Sequence, residues 1–366
     1  MNKSFCPMAF KEIYTDNSGQ YRLCCHAKQN NDLKKYNSSN TLPFEFFTSE
    51  EMENIRNDMF EGKLIDDCEV CYNLEKLTGK SHRTLKQLEK YGYDTELKNI
   101  GLKLRINGSY CNLGCYMCHP YNSSTRRNEL KTVFGPNNKW QKDNFKFKSL
   151  NKIEWKDAVA DILKNINLID RLHLTGGEPL LLPKMWELVE LIPGKYAKDI
   201  NLTFDTNLTK LNYKSYDINF LINKFKSVSF SVSCDHYGQK LAWMRYPINV
   251  SEFEENLVKS KHIISQLACT VSLLNINDLN EIESYYKNKF NLKMNFDCIV
   301  SWPKELSIRN LPEDKKNEYI EKYSHLSFVV GELKKSPYKG DMLKEAEDYL
   351  DKLSTHRNFN WRDLWK

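Results

Sequence analysis

From residue 99 onward, short apolar runs alternate with longer segments in which apolar residues recur at helical spacing. The short runs predict strands at 102–107, 171–175, 201–206, 227–233, 269–275 and 293–300. The segments between them predict helices at 155–165, 184–191, 217–224, 250–264 and 279–286. This alternation is typical of βαβ units around a parallel sheet. Because such crossovers are right-handed, we expect the sheet to roll into a closed or partial barrel.

The two ends of the chain differ from this middle part. Beyond residue 303 the chain becomes rich in Lys and Glu and predicts helices, including one at 341–353. The last residues contain Phe359, Trp361 and Trp365, so we expect this segment to dock on the barrel near its mouth. The division that follows is 1–98, 99–305 and 306–366.

Composition narrows the class of protein. The chain has 366 residues, of which 40% are hydrophobic and 28% charged, with a formal net charge of +6. This mild excess of positive charge is typical of a solvated surface, and it leaves a nucleic-acid partner as a less favoured alternative. We expect no membrane span, because the apolar runs are short, and no secretory signal at the N-terminus. Eleven cysteines in a protein that is not exported indicate a reducing compartment, the cytoplasm, where clustered thiols bind metals.

Eight of these cysteines fall into two groups. Five lie within the first 71 residues, and three follow in the loop CNLGCYMC at 111–118. The remaining three, Cys234, Cys269 and Cys298, lie in or beside apolar runs and are interpreted as buried strand residues.

The loop at 111–118 has the spacing CxxxCxxC. The thiolates of Cys111, Cys115 and Cys118 can each face one iron of a cubane, which leaves the fourth iron open. The alternative is a zinc site completed by His119. Since His119 directly follows Cys118, its side chain would hardly converge on the same ion, and an iron–sulfur cluster fits better.

A second motif, LTGGEP at 174–179, ends the second predicted strand. Paired glycines let the backbone approach a ligand closely, and proline is a good helix start. An ordinary glycine-rich turn is the alternative interpretation of this motif taken alone.

Together the two motifs resemble the radical S-adenosylmethionine (SAM) superfamily. The resemblance implies a partial (β/α)6 barrel of the TIM type over 99–305. It also implies a [4Fe–4S] cluster on the three-cysteine loop, to which SAM binds. Gly176, Gly177, Glu178 and Pro179 would hold the amino group of the SAM methionine. Met117 stands where the family often has an aromatic residue near the adenine, and a methionine can pack on a purine face.

Further residues match the family less specifically. Thr206-Asn207 resembles the Thr-Asn that ends the third strand near the SAM ribose. Ser233 and Asp235, followed by Arg245, resemble a Ser-x-Asp and Arg of the peptide-modifying branch, which contact the ribose and carboxylate of SAM. A guanidinium suits a carboxylate chemically, although Arg245 could also be an ordinary surface arginine.

The N-terminal cysteines Cys6, Cys24, Cys68 and Cys71 would complete either a zinc site or a second [4Fe–4S] cluster. The spacing Cys-x12-Gly-x4-Cys, with Gly19 between Cys6 and Cys24, resembles the start of SPASM and twitch auxiliary-cluster modules. In those proteins the module follows the barrel, whereas here it precedes it. We expect it to cap the barrel mouth. Cys25 would be a spare thiol, an alternative to Cys24 or a buried residue.

The resemblance implies that a reductant of the flavodoxin or ferredoxin kind reduces the cluster at Cys111, Cys115 and Cys118. SAM is then cleaved to a 5′-deoxyadenosyl radical that abstracts hydrogen from a substrate. Relatives with twitch or SPASM modules mostly modify peptides or proteins, which favours such a substrate. A nucleoside or RNA and a small metabolite are alternatives. A non-catalytic zinc or iron–sulfur protein is the alternative of another class.

Overall fold

The computed structural model describes residues 4–16, 18–28, 32–105, 109–142 and 153–365. The end of the first predicted strand, at 106–107, lies outside the described residues. The strands are β1 (Glu12–Thr15), β2 (Tyr21–Arg22), β3 (Ile100–Arg105), β4 (Ile169–Thr175), β5 (Asn201–Thr206), β6 (Asn212–Tyr213), β7 (Tyr216–Asp217), β8 (Ser227–Ser233), β9 (Ile264–Val271) and β10 (Met294–Ile299).

The helices lie beside this sheet and also make up most of the N-terminal and C-terminal parts of the chain. They are α1 (Met8–Lys11), α2 (Pro43–Phe47), α3 (Glu50–Phe60), α4 (Glu69–Thr78), α5 (Glu89–Tyr91), α6 (Ser124–Phe134), α7 (Lys139–Lys142), α8 (Trp155–Lys164), α9 (Pro183–Leu191), α10 (Gly194–Ala197), α11 (Ile218–Lys224), α12 (Gly238–Met244), α13 (Val250–Ser260), α14 (Leu279–Phe290), α15 (Glu313–Lys322), α16 (Ser327–Leu333), α17 (Met342–Arg357) and α18 (Trp361–Leu364). None of the helices in the described ranges is long and apolar enough to cross a bilayer.

The main sheet of the described residues has the order β10-β9-β8-β5-β4-β3-β1-β2. From β3 to β10 every neighbouring pair is parallel, and the strands follow one another in chain order. This confirms an α/β fold with a mostly parallel sheet, consistent with a partial TIM-type barrel. The N-terminal strand β1 extends the sheet in parallel beside β3, and β2 closes that edge antiparallel to β1.

Two predicted boundaries were wrong near residue 264. The predicted helix 250–264 ends as α13 at Ser260, whose hydroxyl donates to the Asn256 carbonyl oxygen at 2.6 Å. The fifth strand therefore begins at Ile264 and ends at Val271, instead of covering 269–275. Beyond it the chain turns, because the Ser272 N–H donates to the Asn275 side chain at 2.8 Å.

The two faces of the sheet differ in polarity, which the apolar character of the runs did not predict. One row of paired positions, Leu102, Leu172, Leu202 and Val228, is buried against the helices. The adjacent row on the other face is Lys103, His173, Thr203 and Ser229. The concave face of the sheet is thus a polar lumen. A TIM barrel filled by branched side chains has instead a packed interior.

Part of the N-terminal segment lies at the amino ends of the strands, the end opposite to the expected mouth. Cys25 and His82 line a cavity of about 620 Å³ together with Gly101, Arg171 and Asn201, which stand at or near the starts of β3, β4 and β5. The opposite, carboxyl end of the lumen is bordered by the loop at 111–118.

The C-terminal residues pack beside that loop. Tyr349 and Leu353 of α17 join Tyr116, Leu130 and Trp243 in a second apolar cluster. The terminal aromatics at 359, 361 and 365 pack against the same cluster, and the Trp243 indole N–H donates to the Phe359 carbonyl oxygen at 2.8 Å.

Candidate functional site

A cavity of about 440 Å³ opens at the carboxyl ends of the parallel strands, where ligands bind in sheets of this kind. The loop at 111–118, the glycine turn after β4 and the ends of β5, β8 and β10 surround it. Its lining is Arg105, Cys111, Leu113, Cys115, Met117, Cys118, His119, Asn122, Thr175, Gly176, Gly177, Glu178, Asp205, Thr206, Asn207, Ser233, Arg245, Thr270, Ile299, Val300, Ser301 and Trp302.

The backbone of the three-cysteine loop is fixed on one side by the end of α12 and the residues that follow it. The Gly114 N–H donates to the Tyr246 carbonyl oxygen at 2.6 Å, and the Tyr116 N–H donates to that of Met244 at 3.0 Å. A backbone held by two such bonds places Cys115 between them in a defined position.

From behind, the same loop is held by Arg357 at the end of α17. Its Nη2 donates to the Gly114 carbonyl oxygen at 2.6 Å, and its Nε pairs with Glu129 at 2.7 Å. Arg126 also pairs with Glu129 and donates to the Tyr116 carbonyl oxygen at 2.8 Å. All three side chains are buried, and the Glu129 carboxylate offsets one of the two positive charges where water cannot.

The donor set of the loop fits an iron–sulfur cluster. Cys111 and Cys115 are buried and Cys118 is half-buried, and burial raises the pKa of the Cys118 thiol to about 12. In the described part of the chain, these three sulfurs do not form a set within 4.8 Å of one another. Zinc would bring its sulfur ligands to about 3.8 Å apart, whereas a cubane gives each thiolate its own iron.

Two side chains aim N–H groups at these sulfurs. The Asn207 amide lies 3.7 Å from the Cys111 sulfur, and the Arg245 Nη1 lies 3.7 Å from that of Cys115. Donors of this kind favour thiolates over thiols, which is the state that metal binding needs.

His119 is held away from the cysteines. Its Nδ1 accepts from the Tyr121 N–H at 3.3 Å, and its ring lies 4.6 Å from that of Tyr121 and 4.8 Å from that of Trp302. Among the described residues it forms no close ligand set with the three sulfurs. The alternative of a zinc site completed by His119 finds no support in this geometry.

The glycine turn touches the three-cysteine loop directly. A Cβ on Gly177 would stand 2.1 Å from the Tyr110 carbonyl oxygen, and the Glu178 N–H donates to that same oxygen at 2.9 Å. Gly176 has φ of 135°, a conformation that side chains disfavour. Both glycines are therefore required by the backbone path of the turn.

The Glu178 carboxylate connects this turn to the end of β5. It accepts from the Asn207 N–H at 2.6 Å, from the Thr206 hydroxyl at 2.7 Å and from the Leu180 N–H at 3.2 Å. Burial raises its pKa to about 7, although all three partners donate to the charged form.

Asp235 and Arg245 form a buried ion pair, with Oδ2 and Nε 2.8 Å apart. The other carboxylate oxygen of Asp235 accepts from the Thr270 N–H at 2.8 Å. Burial raises the pKa of Asp235, and the neighbouring Arg245 guanidinium opposes that rise. Arg245 is therefore not a surface arginine, and its guanidinium reaches the cavity with its charge already paired.

Most of the residues that the sequence singles out meet at this cavity. Pro179 and Asp235 do not line it: Pro179 is buried at the start of a short turn, and Asp235 lies behind Arg245. Sequence reasoning missed Arg105, Asp205 and Trp302. The signal for the first two was their position within the last three residues of a predicted strand, whereas Trp302 follows the last predicted strand and had no signal of its own.

The single cysteines were interpreted as buried. Cys234 and Cys269 are fully buried, but Cys298 is exposed on β10. It faces the open lumen instead of a packed core.

The four N-terminal cysteines are all buried, with exposures of 6% for Cys6, 7% for Cys24, 8% for Cys68 and 9% for Cys71. Burial raises the pKa of the Cys24 thiol, and the nearby thiols of Cys25, Cys6 and Cys68 raise it further. Cys25, in contrast, is exposed, which rules out its interpretation as a buried thiol.

The residues around CxxC tie this group together. Glu75 on α4 accepts from the Ser81 hydroxyl at 2.5 Å and from Arg83 Nε at 3.1 Å. Arg83 in turn donates to the Phe5 carbonyl oxygen at 3.0 Å, next to Cys6. The segment GKSHR at 79–83 thus joins the CxxC helix to the first cysteine.

Comparison with known proteins finds one matching family. Residues 108–284 match the family model described as Radical SAM superfamily. This match supports a radical SAM enzyme with a [4Fe–4S] cluster and SAM as cofactors. The match begins just before Cys111 and ends within α14.

Among solved structures, "Native anSMEcpe with bound AdoMet" is 18% identical, with a TM-score of 0.42, and the alignment covers 62% of this chain and 60% of that one. A histidine-tagged anSMEcpe with bound AdoMet is 18% identical, with a TM-score of 0.39, over 70% of this chain and 59% of that one. The chain thus spans about 60% of the length of these structures. No curated protein matches the chain significantly.

Proposed function

We propose that this enzyme abstracts hydrogen from a peptide or protein side chain. When bound at Cys111, Cys115 and Cys118, the reduced [4Fe–4S] cluster supplies the reductive cleavage of SAM and the 5′-deoxyadenosyl radical. The observation that carries the proposal is the junction of Tyr110 and Gly177, which sets the three thiols beside the glycine turn around one cavity.

The chain's own residues bind and orient SAM in this proposal. Gly176, Gly177 and Glu178 offer the backbone of the turn to the methionine end, and Arg245 offers its guanidinium to the carboxylate. Asn207 and Ser233 stand at the ribose side, and Met117 packs against the adenine. Pro179 and Asp235 act from behind the cavity wall: Pro179 shapes the turn, and Asp235 fixes the Arg245 guanidinium.

The polar lumen is the proposed substrate site. It runs from the SAM cavity to the second cavity at the amino ends of the strands, and Lys103, His173 and Asp205 line it. His173 Nε2 lies 3.0 Å from the Asp205 carboxylate, and this pairing lowers the pKa of Asp205 against the effect of burial. A lumen with such groups suits the amide and charged groups of a peptide better than an apolar metabolite.

We further propose a second [4Fe–4S] cluster on Cys6, Cys24, Cys68 and Cys71, within a module formed by 1–98. The barrel would cover 99–305, and the C-terminal helical extension 306–366. The four thiols are buried, and among the described residues their sulfurs do not form a set within 4.8 Å of one another, as zinc ligands would. Both observations favour a cluster over zinc. Because Cys24 is next to Cys25, which lines the cavity at the amino ends of the strands, a cluster there would lie near the lumen and could accept an electron from a substrate radical, or anchor the substrate.

All eleven cysteines are free thiols, which favours a reducing compartment such as the cytoplasm. We propose a small iron–sulfur or flavin protein as the electron donor. Nucleic acid is a less favoured substrate.

The chemistry is tested by anaerobic incubation with SAM and reductant, followed by measurement of 5′-deoxyadenosine. Wild type is expected to form it, and Cys115→Ala is not. Val258→Ala, which shortens an exposed side chain of α13 outside the cavity lining, is the control and should behave as wild type. Product formation by Cys115→Ala would contradict the assignment.

The substrate class is tested with extract from host cells grown in heavy water, separated into protein, RNA and small-molecule fractions. Hydrogen abstraction from a deuterated substrate adds one mass unit to 5′-deoxyadenosine. We expect this mass shift with the protein fraction. A shift with only RNA or small molecules would overturn the peptide proposal while leaving the SAM chemistry in place.

The auxiliary cluster is tested by changing Cys68 and Cys71 together to Ala. Iron should fall from about eight to about four per chain, since each cubane holds four. SAM binding and the spectrum of the remaining cluster should persist. Iron unmoved by the change, or zinc lost in its place, would show that no cluster binds there.

A further inference from the structure

Cys25, His26 and His82 bring their ligand atoms together beside the N-terminal cysteine group. The Cys25 sulfur and one ring nitrogen from each histidine all lie within 4.8 Å of one another. Among the described residues this is the one set of His, Cys, Asp and Glu side chains that approaches so closely. Neither cysteine group of the proposed clusters does so.

We propose that these three side chains bind a single divalent metal ion of the zinc class, separate from both clusters. Zinc takes thiolate and imidazole ligands at about 2.0–2.3 Å, which places ligand atoms about 3.3–3.8 Å apart in a tetrahedron. Ligand atoms already within 4.8 Å need to contract by only about 1 Å to reach that arrangement.

The adjacency of Cys25 and His26 would by itself argue against convergence, as it does for Cys118 and His119. Here the backbone turn overcomes it. The Ala27 N–H donates to the Cys24 carbonyl oxygen at 3.2 Å, and the Lys28 N–H donates to that of Asp67 at 2.8 Å. A turn held at both positions keeps the two neighbouring side chains on the same side.

The two rings are also positioned by their surroundings. The His26 and His82 ring centroids are 4.5 Å apart with 45° between the planes. The ring of Phe328, on α16, lies 5.9 Å from that of His26. His82 stands between Ser81 and Arg83, both of which bond to Glu75. Because both flanking residues are held, His82 is presented by a fixed segment.

Three protein ligands leave one position of a tetrahedron open, as in catalytic zinc sites. Cys25 and His82 line the cavity of about 620 Å³ at the amino end of the lumen, so the open position would face that cavity. Lys103 and Arg171 share the cavity with them and favour an anionic donor. We therefore expect the fourth ligand to be water or an anionic group from the lumen.

The test measures metal content of the cluster-loaded protein. Anaerobic holoenzyme is dialysed against a micromolar excess of zinc, and zinc and iron are determined in the same sample. Wild type should retain about one zinc per chain beyond its iron. Cys25→Ser and His82→Gln should each lose it with iron unchanged, while the matched control Cys298→Ser, another exposed lumen thiol, should retain it. X-ray absorption at the zinc edge should show one sulfur and two nitrogen ligands.

Several results would overturn the proposal. Zinc retained by both variants, or lost equally by the Cys298→Ser control, would mean adventitious binding only. Iron lost from Cys25→Ser would assign Cys25 to the auxiliary cluster. If His82→Gln fails to keep its iron because it misfolds, His26→Gln replaces it, and the same zinc loss is required.

Discussion

The backbones of Gly177 and Tyr110 lie so close together that a Cβ on Gly177 would stand 2.1 Å from the Tyr110 carbonyl oxygen. Tyr110 directly precedes Cys111, the first cysteine of the loop. A side chain at Gly177 would therefore collide with the cysteine loop before it met any ligand. From its sequence context, the glycine is explained by close approach to a ligand. The structure adds a nearer cause.

Gly177→Ala should therefore disturb the cluster loop itself. The added methyl group must push the turn and the loop apart, at a cost of about 1–3 kcal/mol in the free energy of unfolding. We expect SAM affinity to fall at least about tenfold, the effect of about 1.4 kcal/mol, and the SAM-cleaving cluster to become less stable to dialysis. Binding titration and iron analysis measure the two effects.

Gly194→Ala is the matched control. Gly194 begins α10, and nothing lies within 4 Å of the position where its Cβ would stand. The variant should match wild type in iron content and in SAM affinity. Equal behaviour of the two variants would show that the contact at Gly177 is unimportant.

Arg357 carries a prediction about the C-terminal residues. Arg357→Met removes a buried charge from Glu129 and a donor from the Gly114 carbonyl oxygen. Breaking one side of a buried pair costs about 3–5 kcal/mol, partly relieved here because Arg126 still pairs with Glu129. We expect a clear loss in the midpoint of thermal unfolding and slower 5′-deoxyadenosine formation.

The comparison for Arg357 is Arg362→Met. Arg362 pairs with Asp351, but its side chain is 46% exposed, and such pairs contribute about 0–1 kcal/mol. Its unfolding midpoint and activity should stay near those of wild type. If Arg357→Met also leaves both unchanged, the C-terminal residues do not support the loop.

Hydrophobic periodicity predicted the parallel sheet because its strands and helices bury one continuous apolar face each. β5 and β8 have the predicted bounds, since Asn201 and Ser227 begin runs that end in polar turns. The polar lumen was not predicted. Lys103 and His173 alternate with leucines, but the runs were interpreted as apolar as a whole, and which face is filled depends on how the sheet closes.

The candidate site was predictable where it rests on spacing. Three cysteines in eight residues and a Gly-Gly-Glu-Pro turn carry their chemistry in the local sequence. The contributions of Arg357 and Trp302 depend on long-range packing that has no local signal. The same holds for Cys25 and His82, which are 57 residues apart and meet only through the fold.

Glu178 gives the protein a specific pH dependence. Burial raises its pKa from 4.5 to about 7, so between these values the folded chain binds more protons than the unfolded chain. Its contribution to the free energy of unfolding is therefore full below pH 4.5 and is lost as pH rises towards 7.

Glu178→Gln isolates this effect, because glutamine does not titrate while every other group stays the same. The unfolding midpoint of wild type minus that of the variant should decrease from about pH 5 to about pH 8. Anaerobic thermal unfolding at a series of pH values measures it. A difference that stays level or rises with pH would contradict the raised pKa.

The buried pair of Asp235 and Arg245 separates stability from SAM binding. Arg245→Met leaves the Asp235 carboxylate buried without its partner, which should cost about 3–5 kcal/mol. The double variant Arg245→Met with Asp235→Asn removes the uncompensated charge, and the Asn side-chain oxygen can still accept from the Thr270 N–H. Its unfolding midpoint should recover most of the loss.

SAM affinity should remain low in both variants, because neither has a guanidinium at the cavity beside Cys115. Recovery of SAM affinity along with stability in the double variant would mean that Arg245 only balances Asp235 and does not bind the SAM carboxylate.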